Sequence, residues 1–136
     1  MKKKSFTIII LFWFSCLLMS CAGSKFIPEG SQSLGIYEGP FDGDVYGGSI
    51  RIHLFQTPEG DKLFTGTVAV VDAQPSESNA LFVRGKMTAN SLEGKFQGDA
   101  SGTLSGQLSS DGNHLTGSFS LAAPALNEGT WQAKKK

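Results

Sequence analysis

After its first twenty residues the chain offers few side chains that could do chemistry. His53 lies in a long alternating segment, and His114 follows the turn-forming run Asp111-Gly112-Asn113. No carboxylate or thiol is spaced to pair with either, so both read as solvated histidines. Serines are plentiful, but no Gly-x-Ser-x-Gly elbow occurs and no base is identifiable; no catalytic residue is assigned and no enzyme activity is expected. Asp42-Gly43-Asp44 opens like a calcium loop, yet no Glu follows at the required offset, so it reads as a turn. Glu59, Asp61, Asp72 and Glu77 are ordinary loop charges. The two cysteines, Cys16 and Cys21, both belong to the N-terminal segment, and with two histidines they make no ligand cluster; neither a metal nor another cofactor is expected. Tyr37, Tyr46 and Trp131 combine an apolar body with a polar tip, and they are the residues expected to line a site if a ligand enters the domain.

The elements carrying these residues follow one repeated pattern: a large apolar residue, any residue, Gly, any residue, a large apolar residue. It runs from Tyr37-Glu-Gly39-Pro-Phe41 through Tyr46-Gly-Gly48-Ser-Ile50, Phe64-Thr-Gly66-Thr-Val68, Val83-Arg-Gly85-Lys-Met87 and Leu92-Glu-Gly94-Lys-Phe96. Leu104-Ser-Gly106-Gln-Leu108 and Leu115-Thr-Gly117-Ser-Phe119 continue it, and Asn127-Glu-Gly129-Thr-Trp131 closes it without its first apolar member. Alternation with a period of two marks a half-buried strand. The opposite face is polar, with Arg51, His53, Arg84, Lys86, Glu93, Lys95 and several Ser and Thr. Phe55 and Phe82 fall on that outward face, either as a contact surface or beneath the 72–79 loop. Turn chemistry separates the segments, and Asp111-Gly112 is the strongest hairpin signal.

About eight antiparallel strands in a meander are therefore expected over residues 34–133, with no helix between them. A sheet with one apolar face and no second layer covers itself by closing into an up-and-down barrel, closed or nearly closed. Eight strands about 4.8 Å apart and tilted near 36° make a backbone cylinder about 15 Å across. Pro40 makes the first strand a candidate for an open edge. Glycines on the inward face serve curvature and let aromatic rings lie over the backbone, or else they leave a cavity. The layout resembles lipocalin-like and avidin-like barrels in strand count alone. It is also similar in size to small envelope lipoproteins that inhibit lysozyme or proteases, although this chain lacks the disulfide of the lysozyme-inhibiting type.

Residues 1–20 read as an address. Lys2-Lys3-Lys4 precedes fourteen uncharged residues, Phe6 to Met19. Fourteen helical residues span about 21 Å, short of the roughly 30 Å core of a bilayer, so a secretory signal is expected rather than a permanent span. The segment ends at Leu18-Met19-Ser20-Cys21, which resembles the lipobox of bacterial lipoproteins. That resemblance implies cleavage before Cys21, acylation of its thiol and a membrane anchor of two or three acyl chains. With Ala22 rather than Asp after the cysteine, it implies the periplasm-facing outer membrane of a Gram-negative cell, or the outer face of the plasma membrane of a Gram-positive one. Residues 21–33 are expected to be a tether reaching about 40 Å, and Lys134-Lys135-Lys136 a basic tail.

The formal charge of zero averages two unlike parts. Without Lys2–Lys4, nine basic face twelve acidic residues. Bulk charge thus excludes nucleic acid as a partner. A transmembrane barrel is set aside as well, because its lipid-facing side would have to be apolar. Two expectations remain: a lipid-anchored barrel binding a small apolar ligand or an envelope component, or a protein-interaction module with a filled core.

Overall fold

The computed structural model describes residues 27–70, 80–123 and 126–136. The 1–20 signal, Cys21 with the start of the tether, and the 72–79 loop lie outside the described residues. Strands β1 (Gln32–Gly43), β2 (Gly47–Gln56), β3 (Lys62–Val70) and β4 (Ala80–Thr88) are followed by β5 (Ser91–Phe96), β6 (Ser101–Leu108), β7 (His114–Ala123) and β8 (Asn127–Lys135). Each strand pairs antiparallel with the next, and β8 pairs with β1, so the meander closes into a barrel. The alternation in the sequence sets the register. Following paired residues from Gly35 through Leu54, Phe64 and Gly85 around to Gly129 returns to β1 at Gly43, eight residues further on. Eight strands with a stagger of eight tilt by about 36°.

The first strand is not an edge. Pro40 pairs with Ser49 on the β2 side. On the β8 side the register passes from Glu38↔Lys134 to Phe41↔Trp131, so the missing Pro40 amide falls where no ladder bond is needed. The C-terminal lysines are wall, not tail. Lys134 and Lys135 lie within β8, and Lys136 Nζ sits 2.9 Å from Glu38 Oε2. The first strand also begins earlier than the tether reading allowed, at Gln32, after a turn in which Ser31 N–H donates to Pro28 O.

Inside, apolar side chains from all eight strands form one core, in which Ile50, Ile52 and Leu54 of β2 are fully buried. The Phe41 and Phe119 rings stack with centroids 3.9 Å apart. The inward glycines serve this packing in two ways. At Gly117, a Cβ would sit 1.9 Å from Ser105 O of the neighbouring strand, so the backbones approach too closely for any side chain. At Gly94 and Gly106, a Cβ would meet the Phe64 ring and the Trp131 ring, each at 2.6 Å. Strand curvature and rings laid over backbone therefore account for the repeat.

The last repeat lacks its first apolar residue for a reason that sequence patterning missed. Asn127 takes the inward position, is buried, and clasps the β1–β2 turn. Its Oδ1 accepts from Val45 N–H at 3.0 Å, and its Nδ2 donates to Tyr46 O at 3.1 Å. In the Asp111-Gly112 hairpin, Gly112 has φ +75°, a conformation glycine adopts without strain. There the Ser109 hydroxyl, and then the Asn113 N–H, hold the Asp111 carboxyl below its usual value.

Gly117→Ala is expected to cost about 3 kcal/mol or more, because backbone rather than a side chain must give way. Asn127→Leu is expected to cost about 2 kcal/mol by leaving the Val45 amide and the Tyr46 carbonyl unpaired. Gly98→Asn, in an open turn with φ +71°, should cost under about 1 kcal/mol. Thermal unfolding followed by circular dichroism ranks the three, and a mild Gly117→Ala would refute the close-approach account.

Candidate functional site

The three polar-tipped aromatics do not come together around a space. Tyr37 and Trp131 are core residues whose polar atoms are already used. Tyr37 Oη donates to Gly112 O at 2.8 Å. Trp131 Nε1 donates to Ser105 O at 3.1 Å, with Ser118 O at 3.3 Å. Each ring thus ties its own strand to a distant part of the barrel. Tyr46 is half-buried beside the Asn127 clasp, and its hydroxyl is closed off from solvent with no hydrogen-bond partner. The interior beside the glycines is occupied. Gly66 faces Val83 and Ile52, Gly94 faces Phe64, Gly106 faces Trp131, and Gly39 and Gly48 lie against the backbones of β8 and β3.

The outward face holds the concavity. A groove of about 730 Å³ crosses β3 to β6 on the outside of the wall. Its floor is the backbone around Gly85 and Gly94, which pair directly across β4 and β5. No side chain projects inward at that pair. Phe55 and Leu63 close one end. Phe55 stands on the outward side of β2, as the alternation requires, yet it is only 1 % exposed. It is set opposite Ser33 at the β1 bulge and opposite Leu63, with the His53 ring 5.8 Å away. Of the two expectations for Phe55, burial excludes an exposed contact surface, and Ser33, Leu63 and His53 stand beside it. Phe82 is 56 % exposed, as its position implies.

The polar lining of the groove is ordered by register. Thr65 pairs with Arg84, Arg84 with Lys95, and Lys95 with Thr103, making one outward row across four strands. His53 and Ser120 extend it on either side. Two residue pairs along, past Gly85↔Gly94, Lys86 faces Glu93 and Glu93 faces Ser105, whose hydroxyl lies 3.1 Å from that of Ser118. Sequence reading named these residues only as a polar face. Their alignment depends on pairing partners far apart in the chain.

The two histidines stay apart, His53 half-buried and His114 exposed. His53 Nε2 lies 3.0 Å from Ser33 Oγ, and His114 Nδ1 lies 3.9 Å from Asp111 Oδ1. Among the described residues, no three His, Cys, Asp or Glu side chains gather as metal ligands. Neither a protein-family model nor a curated protein matches this chain.

Burial pushes the Tyr37 phenol above its ordinary value of 10.0. A raised value in the folded state contributes stability that is present below the unfolded phenol's pKa and is lost as pH rises through the folded one. Tyr37→Phe removes the bond to Gly112 O and is expected to cost about 1 kcal/mol at neutral pH. It should also flatten the loss of stability above pH ~10. A melting series from pH 7 to 11 tests both, and an unchanged alkaline slope would show that Tyr37 plays no part in it.

Proposed function

We propose that the chain is a lipid-anchored envelope protein whose filled barrel works from its outer wall, with the β3–β6 groove as the contact site. The anchor rests on the order of basic head, apolar run and Leu18-Met19-Ser20-Cys21. It places the barrel on the periplasmic face of an outer membrane, or on the outer face of the plasma membrane in a cell with only one membrane. Two or more acyl chains at Cys21 hold such a protein stably without a span. In an eight-strand meander both chain ends leave from the same end of the barrel. The chain enters β1 at Gln32, opposite Gln56 of β2, and the groove lies on the side wall with its Phe55 end toward that point of entry.

The observation that carries the outer-wall reading is the occupancy of the interior. A small apolar ligand inside the barrel would need room beside Gly39, Gly48, Gly66, Gly94 or Gly106, and side chains or backbone already stand there. The tips of Tyr37 and Trp131 are committed to backbone carbonyls. Closure also removes every sheet edge, which excludes recognition by strand addition. What remains is side-chain recognition of an envelope component, and the β3–β6 groove is the concavity on the outer wall that gathers charged side chains for it.

Two experiments test the two halves. Metabolic labelling with an alkyne-bearing palmitate in a bacterium expressing the full chain is expected to tag the protein, and Cys21→Ser is expected to abolish the tag. A Cys21→Ser chain that keeps its label would sink the anchor. A photo-cross-linking residue in place of Thr103, inside the groove, is expected to give an envelope adduct. The same residue in place of Ser49, exposed on the β2 wall away from the groove, should give none. Equal adducts at both positions, or none at either, would remove the groove as the site.

A further inference from the structure

We infer that the groove is an anion site whose occupant is a glycan strand bearing carboxylate groups. The inference rests on the outer-wall reading above and names the ligand class for the same groove.

The first observation is a local inversion of charge. Beyond Lys2–Lys4 the chain carries more acidic than basic residues. The groove nevertheless collects Arg84, Lys86 and Lys95 against a single carboxylate, Glu93. The second is register. Lys86 faces Glu93, a complementary pair, whereas Arg84 faces Lys95 directly. Like charges set opposite each other across a ladder destabilise a sheet, and a bridging anion relieves that repulsion. Arg84 keeps a contact of its own within the protein. A guanidinium has five donors, so it can hold that contact and still share an anion with Lys95.

The third observation concerns what lies around the cations. In register with them stand Thr65 and Thr103, each a hydroxyl that can donate or accept. The Gln97 side chain donates to Lys95 O at 2.9 Å, which fixes its amide beside the row. From Thr65 to Thr103 the row covers three strand spacings, about 14 Å. That suits an extended ligand better than a single small ion. A peptide could not pair its main chain here, because the backbone of β3 to β6 is already paired on both sides. A polyhydroxylated strand with carboxylates uses what is offered: cations for the acid groups and hydroxyls and amides for the rest.

The test is amide-resolved NMR on the full chain in detergent, titrated with an oligogalacturonate hexamer and, separately, with neutral maltohexaose. The expected result is that the acidic oligosaccharide shifts the amides of residues 65, 84, 95 and 103, with an affinity that falls as salt is raised. Lys95→Glu is expected to weaken that binding at least about tenfold without lowering the melting temperature, because it replaces a like-charge pair with a complementary one. Equal shifts from the neutral oligosaccharide, with Lys95→Glu indifferent, would overturn the anion while leaving the groove in place. No shift from either would overturn the glycan. The groove itself then stands or falls with the adduct at position 103. A clear loss of stability in Lys95→Glu would overturn the like-charge argument.

Discussion

The narrowness of the barrel governs everything else in the molecule. Eight strands with a stagger of eight residues enclose a cylinder too thin for a large side chain at every inward position. Large residues must alternate with residues that have no side chain, and the chain meets this by placing Gly between apolar partners. Phe64 lies opposite Gly85, Trp131 opposite Gly117, Phe41 opposite Gly48 and Phe119 opposite Gly129. Where two glycines meet, as at Gly85↔Gly94 and Gly106↔Gly117, the strands come close enough that an added methyl would strike a backbone atom. Each glycine loses conformational entropy on folding. The gain is that aromatic rings such as Phe64 and Trp131 reach the main chain of Gly94 and Gly106, where a Cβ would block them.

The same constraint underlies the outer-wall proposal. A barrel filled in this way has no interior to offer, and a closed one has no edge to offer. It does have a curved outer wall, whose shape follows from the glycines within. The groove floor is formed where Gly85 and Gly94 face one another. The device that packs the core thus also shapes the surface, and a substitution at either glycine would change both.

Much of the fold was legible in the sequence because the signal is local. Period-two alternation, the central Gly of each repeat and turn residues such as Asp111-Gly112 are all read within a few residues, and they suffice for eight strands and closure. The features that escaped are those set by partners distant in the chain. Asn127 looks like a gap in the apolar pattern until the β1–β2 turn, more than eighty residues earlier, is placed against it. Phe55 looks exposed until Ser33 and Leu63 flank it. Lys134–Lys136 look like a tail until β1 is brought alongside β8. The groove belongs to the same class. Arg84, Lys95, Thr65 and Thr103 are unremarkable members of a polar face until register aligns them.

Register also sorts the charges on this surface. Where the outward face is merely solvated, cross-strand partners are complementary or neutral. Arg51 reaches Glu38 at 3.5 Å, Lys136 reaches the same carboxylate, and Ser120 donates to Glu128 at 3.2 Å. Such pairs add little stability individually, but they cost nothing. Arg84 opposite Lys95 departs from that pattern, and it does so at the pair adjoining the glycines that form the groove floor. The positive pair and the concavity coincide on the same two strands, and a ligand that neutralises one while filling the other accounts for both.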